Sequence, residues 1–267
     1  MKKHLLKLST FASLPLLSLA AISCSNNQNI PPVDYELIDE KYGFAFNSLG
    51  EITRYISYPE NDYTNITIPE YLTNNTKYTL DEYRGYTQRI TSIGNFVFSA
   101  HTKYDIASGQ YIPMHNHYAQ YLTSITLPNS IESIGGDAFY GTPLTEIILP
   151  DSVVTIGGGA FEYCTNLTSV KLSKNTKYIG FGAFSGTGIT SIEIPNSVFY
   201  IEDYAFRNTK LSGSLYIPDS VVTISWGAFY GTQITEVSIP KDCDYASDSS
   251  VGDYPSFPPG CKVTRRP

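Results

Sequence analysis

With 267 residues and 42% hydrophobic side chains, the chain is long enough to bury the core of one large domain or two small ones. Its 25 acidic side chains outnumber 18 basic ones, and the one basic cluster is the terminal "KVTRRP". Nucleic acid, whose phosphates demand clustered lysine and arginine, is therefore not an expected partner. Tyrosine is the unusual residue, at 22 copies against one Trp and two Met.

Residues 1–23 read as an export signal, with Lys2, Lys3 and Lys7 ahead of an apolar run from Leu8 to Ile22. The run is too short and too rich in serine for a membrane span. It ends in "LAAISC", which is similar to a bacterial lipobox, although Ala21 stands where that motif more often has Leu. On this reading Cys24 is lipidated and becomes the N-terminus; the alternative is ordinary secretion with Cys24 a free thiol. Removing the segment takes three lysines and no acid, leaving 15 basic and 25 acidic side chains, net −10. Residues 24–34 are a polar tether. Residues 35–61 follow as an N-terminal cap, where "YGFAFNSLGEITRYISY" predicts a hairpin turning at "NSLGE".

From residue 62 to 240 the chain repeats itself. Segments start at Leu122, Leu144, Leu167, Ile189 and Leu211, with a truncated sixth at Ile234, spaced 22 or 23 residues apart. A degenerate first copy precedes them, interrupted by insertions at about 73–89 and 100–121. Each copy reads approximately L-x-x-I-x-I-P-x-S-V-x-x-I-G-x-x-A-F-x-G-T, and self-similarity at this period is the signature of a solenoid. In "SITLP", Ile125 and Leu127 alternate with Ser124 and Thr126, the period of a half-buried strand. Pro128, Pro150, Pro195, Pro218 and Pro240 end that strand. A second short extended segment follows, and then a tight corner at Gly135, Gly157 and Gly180. This corner glycine is lost at Glu202 and Ser225. Stacking at about 4.8 Å per coil predicts one column of Phe139, Phe161, Phe184, Phe206 and Phe229, beside a column of small alanines. Only neighbouring coils touch in such a stack, so both ends need caps. Residues 241–267 are expected to close the far end.

The repeat resembles the BspA-like leucine-rich-repeat family of bacterial surface proteins. The resemblance rests on "LTSITLPNSIESIGGDAFYGT" and its sisters, and on "GEITRYISYPENDYTNITIP", similar to the family's usual first segment. It implies the α/β leucine-rich-repeat class in a β-rich form: a right-handed parallel solenoid with short turns or helical corners. It further implies display at the cell surface and adhesion to host or neighbouring-cell proteins, without naming a ligand. Binding of a surface glycan is the alternative, and a metal-dependent enzyme the least favoured.

Four cysteines are present. Cys243 and Cys261 flank an acidic loop, and in an exported chain they are the natural disulfide pair, worth about 3 kcal/mol by loop closure. Cys164 stands where sister segments have Thr142, Thr187, Thr209 and Thr232, and reads as a small buried thiol, structural and reduced.

No catalytic motif is recognisable and no cofactor is called for. His115 and His117 in "MHNHY" would share one side of a strand, with His101 and Asp105 in the same insertion, but no spacing fixes a third ligand and a solvated loop is the expected reading. Asp242, Asp244, Asp248 and Asp253 match no calcium loop and read as a solvated cap. The informative asymmetry lies among outward positions, where Tyr178, Phe181, Phe199, Tyr200, Tyr204 and Trp226 gather on one face of the later coils. Such a cluster is a candidate contact patch, because aromatic residues supply most interface hot spots. Its competing explanation is ring packing along the ladder. The strand "SITLP" and its sisters are taken as the inner curve, offering Glu146, Lys171, Glu193, Tyr216 and Glu236 to a broad partner with basic patches.

Overall fold

The computed structural model describes residues 30–33, 35–56, 63–75, 83–100, 102–105, 110–113, 117–247 and 254–267. Each 22- or 23-residue period closes as one coil of a parallel β-solenoid. The short extended segment before the corner is the strand that stacks: Ser92–Ile93, Ser133–Ile134, Thr155–Ile156, Tyr178–Ile179, Tyr200–Ile201, Thr223–Ile224 and Asp244–Tyr245 pair in parallel, in that order. Their isoleucines point inward and register on one another, while the residue before each faces out. At the N-terminal end the row continues into Glu51–Tyr55, which runs antiparallel to Phe44–Phe46 and through it to Leu37–Asp39, completing ten strands. The Asn47–Glu51 turn of that hairpin is held by the Asn47 side chain, whose Oδ1 accepts the amides of Leu49 and Glu51.

Local chemistry sets the coil. At each proline the carbonyl accepts an amide three residues on, from Pro128 to Ile131, Pro150 to Val153, Pro195 to Val198, Pro218 to Val221 and Pro240 to Cys243. Ser173 makes the same turn to Thr176 in the coil that lacks the proline. After the strand, Ala-Phe turns back inward. The Phe amide donates to the Ala carbonyl of the next coil at 2.7–2.8 Å, from Phe98 through Phe206, so the ladder continues around this corner. Inside it Phe98, Phe139, Phe161, Phe184, Phe206, Phe229 and Phe257 stack with centroids 5.1–5.5 Å apart and planes within 4–7°. The column is two rings longer than the five clear repeats alone predict. Phe98 comes from the degenerate first coil and Phe257 from the terminal segment.

Beyond the Phe column, the hydroxyls of Thr142, Thr187, Thr209 and Thr232 each donate to the carbonyl of the Phe three residues back, at 2.8–3.0 Å. Cys164 takes the same place. Its Sγ lies 3.0 Å from the Phe139 carbonyl and 3.2 Å from Thr142 Oγ1, and burial pushes the thiol up to about 12.

Four expectations are refined or corrected. Of the two corner forms expected, turns and helices, the corners are turns: residues 136–141 and their equivalents form successive turns, and Ala-Phe bends without an α-helical hydrogen bond. Second, the continuous sheet is not built from "SITLP" and its sisters. On that side the strands fall into separate groups, Asn65–Thr67 with Ser124–Thr126, Glu146–Ile148 with Ser169–Lys171, and Ser212–Tyr216 with Gln233–Ile239 and Lys262–Arg265. Residues 189–195 join none of them. The ladder that runs through every coil is that of the ten-stranded sheet, and its face is taken as the inner curve.

Third, Cys243 and Cys261 are separate thiols. Cys243 occupies the buried column of Val198 and Val221, at the turn after Pro240. Cys261 precedes Lys262, which registers with Glu236, while Arg265 registers with Ile239 and bonds the Cys243 carbonyl at 2.9 Å. Cys243 thus sits in a turn and Cys261 directly before the strand Lys262–Arg265, and their sulfurs are not bonded. Fourth, residues 241–247 and 254–265 close the far end as a further degenerate coil rather than as a stapled loop. Its clasp is the basic tail. Arg265 donates to the carbonyls of Lys241 and Cys243 and lies over Tyr245, and Arg266 donates to Ile217, Ser238 and Asp219 and lies over Tyr216.

Candidate functional site

Because the strand isoleucines face inward, the residues before them form an outward column on the inner curve: Ser92, Ser133, Thr155, Tyr178, Tyr200, Thr223 and Asp244. Tyr178 and Tyr200 stack in this column with centroids 5.7 Å apart and planes 5° apart. Phe199 and Val222 stand one residue earlier, and Phe181 and Trp226 three residues later, just past the corner. All six side chains are 40–51% exposed, which leaves each with a free surface while one side rests on the solenoid. The first coils have Gly136, Gly158, Ser133 and Thr155 in two of these columns and Glu132, Val154 and then Lys177 in the column of Phe199, so the aromatic side chains gather in the later coils. Val222 was missing from the sequence-derived patch; its two-residue offset from inward Ile224 is the signal that places it there.

Carboxylates hold the two corner aromatics in place. The Phe181 amide donates to Glu202 Oε2 at 3.0 Å and the Trp226 amide to Asp203 Oδ1 at 2.9 Å. Asn95 does the same for Gly136 at 2.6 Å. The loss of the corner glycine at Glu202 is thus put to use. At Gly180, an added Cβ would sit 2.8 Å from the backbone of the preceding coil, whereas the Glu202 side chain turns back to bond it.

Tyr204 does not share the exposure of its neighbours. It adopts a left-handed backbone, φ 60°, and lays its ring where a Cβ at Gly227 would be, 2.6 Å away. It meets Phe181 and Tyr254 edge-on at 5.5 and 5.9 Å, and the Arg207 guanidinium lies over it at 5.0 Å. Tyr204 supports the strip from beneath; the packing explanation holds for this residue. Tyr163, φ 56°, covers Gly186 in the same way two coils earlier.

The proposed sheet-face residues lie on the opposite, parted side. Glu146 and Lys171 are at the ends of one paired strand group, Glu193 is on the unpaired segment, and Glu236 accepts a bond from Ser214. Tyr216 is the platform for Arg266 at 4.3 Å, so the cap shares its ring. All five are exposed, and Lys171 and Glu193 line one shallow depression.

His101, His115, Asp248 and Asp253 lie outside the described residues, as does Cys24; of His117 only the backbone is described, at the start of the 3-10 turn His117–Tyr121. Among the described residues no three His, Cys, Asp or Glu side chains gather as a metal site would require. No helix among them is long and apolar enough to cross a membrane.

A parallel coil of this period, with an isoleucine strand on its inner curve and a stacked phenylalanine column, defines a leucine-rich-repeat solenoid. The chain belongs to the BspA-type leucine-rich-repeat family, whose profile matches residues 41–142, 91–212 and 132–253 and occurs in six copies. Among solved structures it is similar to the leucine-rich-repeat protein of T. pallidum, with a TM-score of 0.52 and 22% identity over 79% of this chain and 86% of that one. It is also similar to a leucine-rich cell-surface protein of Faecalibacterium prausnitzii, with a TM-score of 0.33 and 20% identity over 80% and 72% of the two chains. The pneumococcal vaccine antigen PcpA matches with a TM-score of 0.44 and 16% identity over 79% and 66%. No curated protein matches the chain.

Proposed function

We propose that the chain is an exported adhesin-like module, lipid-anchored to a bacterial membrane through Cys24 and exposed at the cell surface, that binds an extracellular protein on its inner curve. The observation that carries this reading is the strip of Tyr178, Phe181, Phe199, Tyr200, Val222 and Trp226, half exposed on a rigid continuous sheet. A soluble domain seldom displays contiguous apolar side chains without a use, and aromatic anchors on a rigid base lose little entropy on binding. The glycan alternative needs an open ring face to stack a sugar. Tyr178 and Tyr200 each give one face to the other, which leaves fewer open faces along the strip for a sugar than for a protein partner. The lipobox-like "LAAISC" and the polar segment after it support the anchor and tether.

The test is a pull-down of host or neighbouring-cell extracellular proteins with the wild-type chain and with a Phe199→Ser/Tyr200→Ser/Trp226→Ser variant. The variant should lose the captured protein, while Glu146→Lys/Glu193→Lys on the parted side should retain it. Equal capture by wild type and the triple variant would refute the strip as the contact. In a bacterial host, labelled palmitate should enter the wild type and not Cys24→Ala, and whole-cell protease shaving should remove the solenoid.

A further inference from the structure

Beside Trp226 the inner curve carries a depression of about 480 Å³, lined among others by Asp203, Thr223, Ser225, Trp226, Asp244 and Tyr245. Its two carboxylates come from the coils on either side of the one that carries Trp226. Asp203 belongs to the coil before Trp226, and Asp244 registers with Thr223 from the coil after. One Asp203 oxygen is committed to the Trp226 amide, which fixes the carboxylate and leaves its second oxygen free. Among the described residues no lysine or arginine lines the depression, and neither Asp203 nor Asp244 has a salt-bridge partner. The nearest basic group at Tyr245, Arg265, is committed to capping carbonyls.

We infer that this depression receives one cationic side chain, arginine or lysine, from an extended segment of the bound protein. The indole face of Trp226 and the carboxylates of Asp203 and Asp244 are its three contacts. The inference rests on the protein-binding reading above and names what that protein must present. An indole face is the strongest aromatic partner for a cation, and a guanidinium, weakly hydrated and planar, stacks on it while bonding carboxylates at its edge. The chain's excess of acidic side chains would steer such a partner toward the surface. Phe199, Tyr200 and Val222 then supply the apolar flank on which the rest of the segment lies.

Trp226 is the only tryptophan of the chain, so its emission reports on this depression directly. The probes are N-acetyl-arginine amide and its uncharged counterpart N-acetyl-citrulline amide, titrated against the full chain. The arginine probe should change Trp226 emission saturably and the citrulline probe should bind at least about tenfold more weakly, because only the first makes charge-assisted bonds. Asp203→Asn/Asp244→Asn, which keeps the acceptor for the Trp226 amide, should weaken the arginine probe by about the same factor and leave the probe-free emission and circular dichroism unchanged. Equal responses to both probes, no saturable response, or an unaltered response in the Asn variant would overturn the inference. Loss of pull-down in the triple-Ser variant together with equal probe responses would leave the contact strip standing and remove only the cation.

Discussion

The two long sides of each coil are made from similar residues and behave differently. On the inner curve, two-residue strands pair from coil to coil without interruption, and the Ala-Phe corner continues the same ladder. On the outer side, longer strands with the more obvious alternation of Ile and polar residues pair in separate groups, and residues 189–195 pair with nothing. Strand length and pattern therefore do not decide which side closes. Close approach does: where glycine and alanine let backbones come together around a stacked ring, the ladder runs through every coil. The closed side is also the one with the aromatic strip, so rigidity and the candidate contact surface coincide.

That contrast makes a graded set of expectations. Phe184→Ala removes a ring packed on both faces at the centre of the closed side and should cost about 3–5 kcal/mol of unfolding free energy. Urea denaturation measures it, and a loss under 1 kcal/mol would mean that the column is not the spine of the fold. Gly180→Ala should cost about 1–3 kcal/mol, because its Cβ meets three backbone atoms 2.8 Å away that cannot rotate aside. On the parted side Gly213→Ala meets no atom within 4 Å and bears only the strain of φ +74°, about 1 kcal/mol. A larger loss at Gly213 than at Gly180 would reverse the assignment of closed and parted sides.

Cys164 sharpens the same comparison through pH. Its thiol stays neutral in the fold up to about 12, whereas an unfolded thiol ionises near 8.5. The raised pKa contributes its full stability below about pH 8.5 and loses it progressively as pH rises toward 12. By pH 10 the wild type should have lost about 2 kcal/mol relative to Cys164→Thr, which carries the residue of the sister coils and no such titration. Parallel urea midpoints for the two proteins at pH 8 and pH 10 would contradict this. The smallest effect expected is none at all: reductant should leave the melting temperature unchanged, since Cys243 and Cys261 are apart. Iodoacetamide mapping should find Cys261 modified before Cys243, whose thiol burial pushes up to about 11. A drop of several degrees on reduction would show that the two thiols are bridged.

Much of this was legible in the residues themselves. The 22- or 23-residue period, the inward isoleucines and the Phe column follow from spacing, because equivalent positions in a stack must superimpose. The hairpin cap was legible from "NSLGE". The reading failed where one pattern admits two partners. Ile125 and Leu127 in "SITLP" alternate as a sheet strand should, yet alternation reports only which side is buried and not whether the next coil lies within hydrogen-bonding distance. Cys243 and Cys261 look like a pair by count and compartment, but Cys243 completes a core column and Cys261 begins a strand on the other side. Tyr204 looked like a member of the exposed strip because it follows Asp203 directly. Its left-handed backbone, which swings the ring over Gly227, leaves no trace in the local pattern.

Sequence alone determined the repeat, its inside and outside, and the uneven distribution of aromatic residues toward the later coils, since these depend on order along the chain. Tertiary structure decided which side of the coil carries the continuous ladder, that two arginines fasten the far end, and that Trp226, Asp203 and Asp244 line one depression. Each of those depends on distances between residues of different coils, and such distances exist only once the coils have stacked.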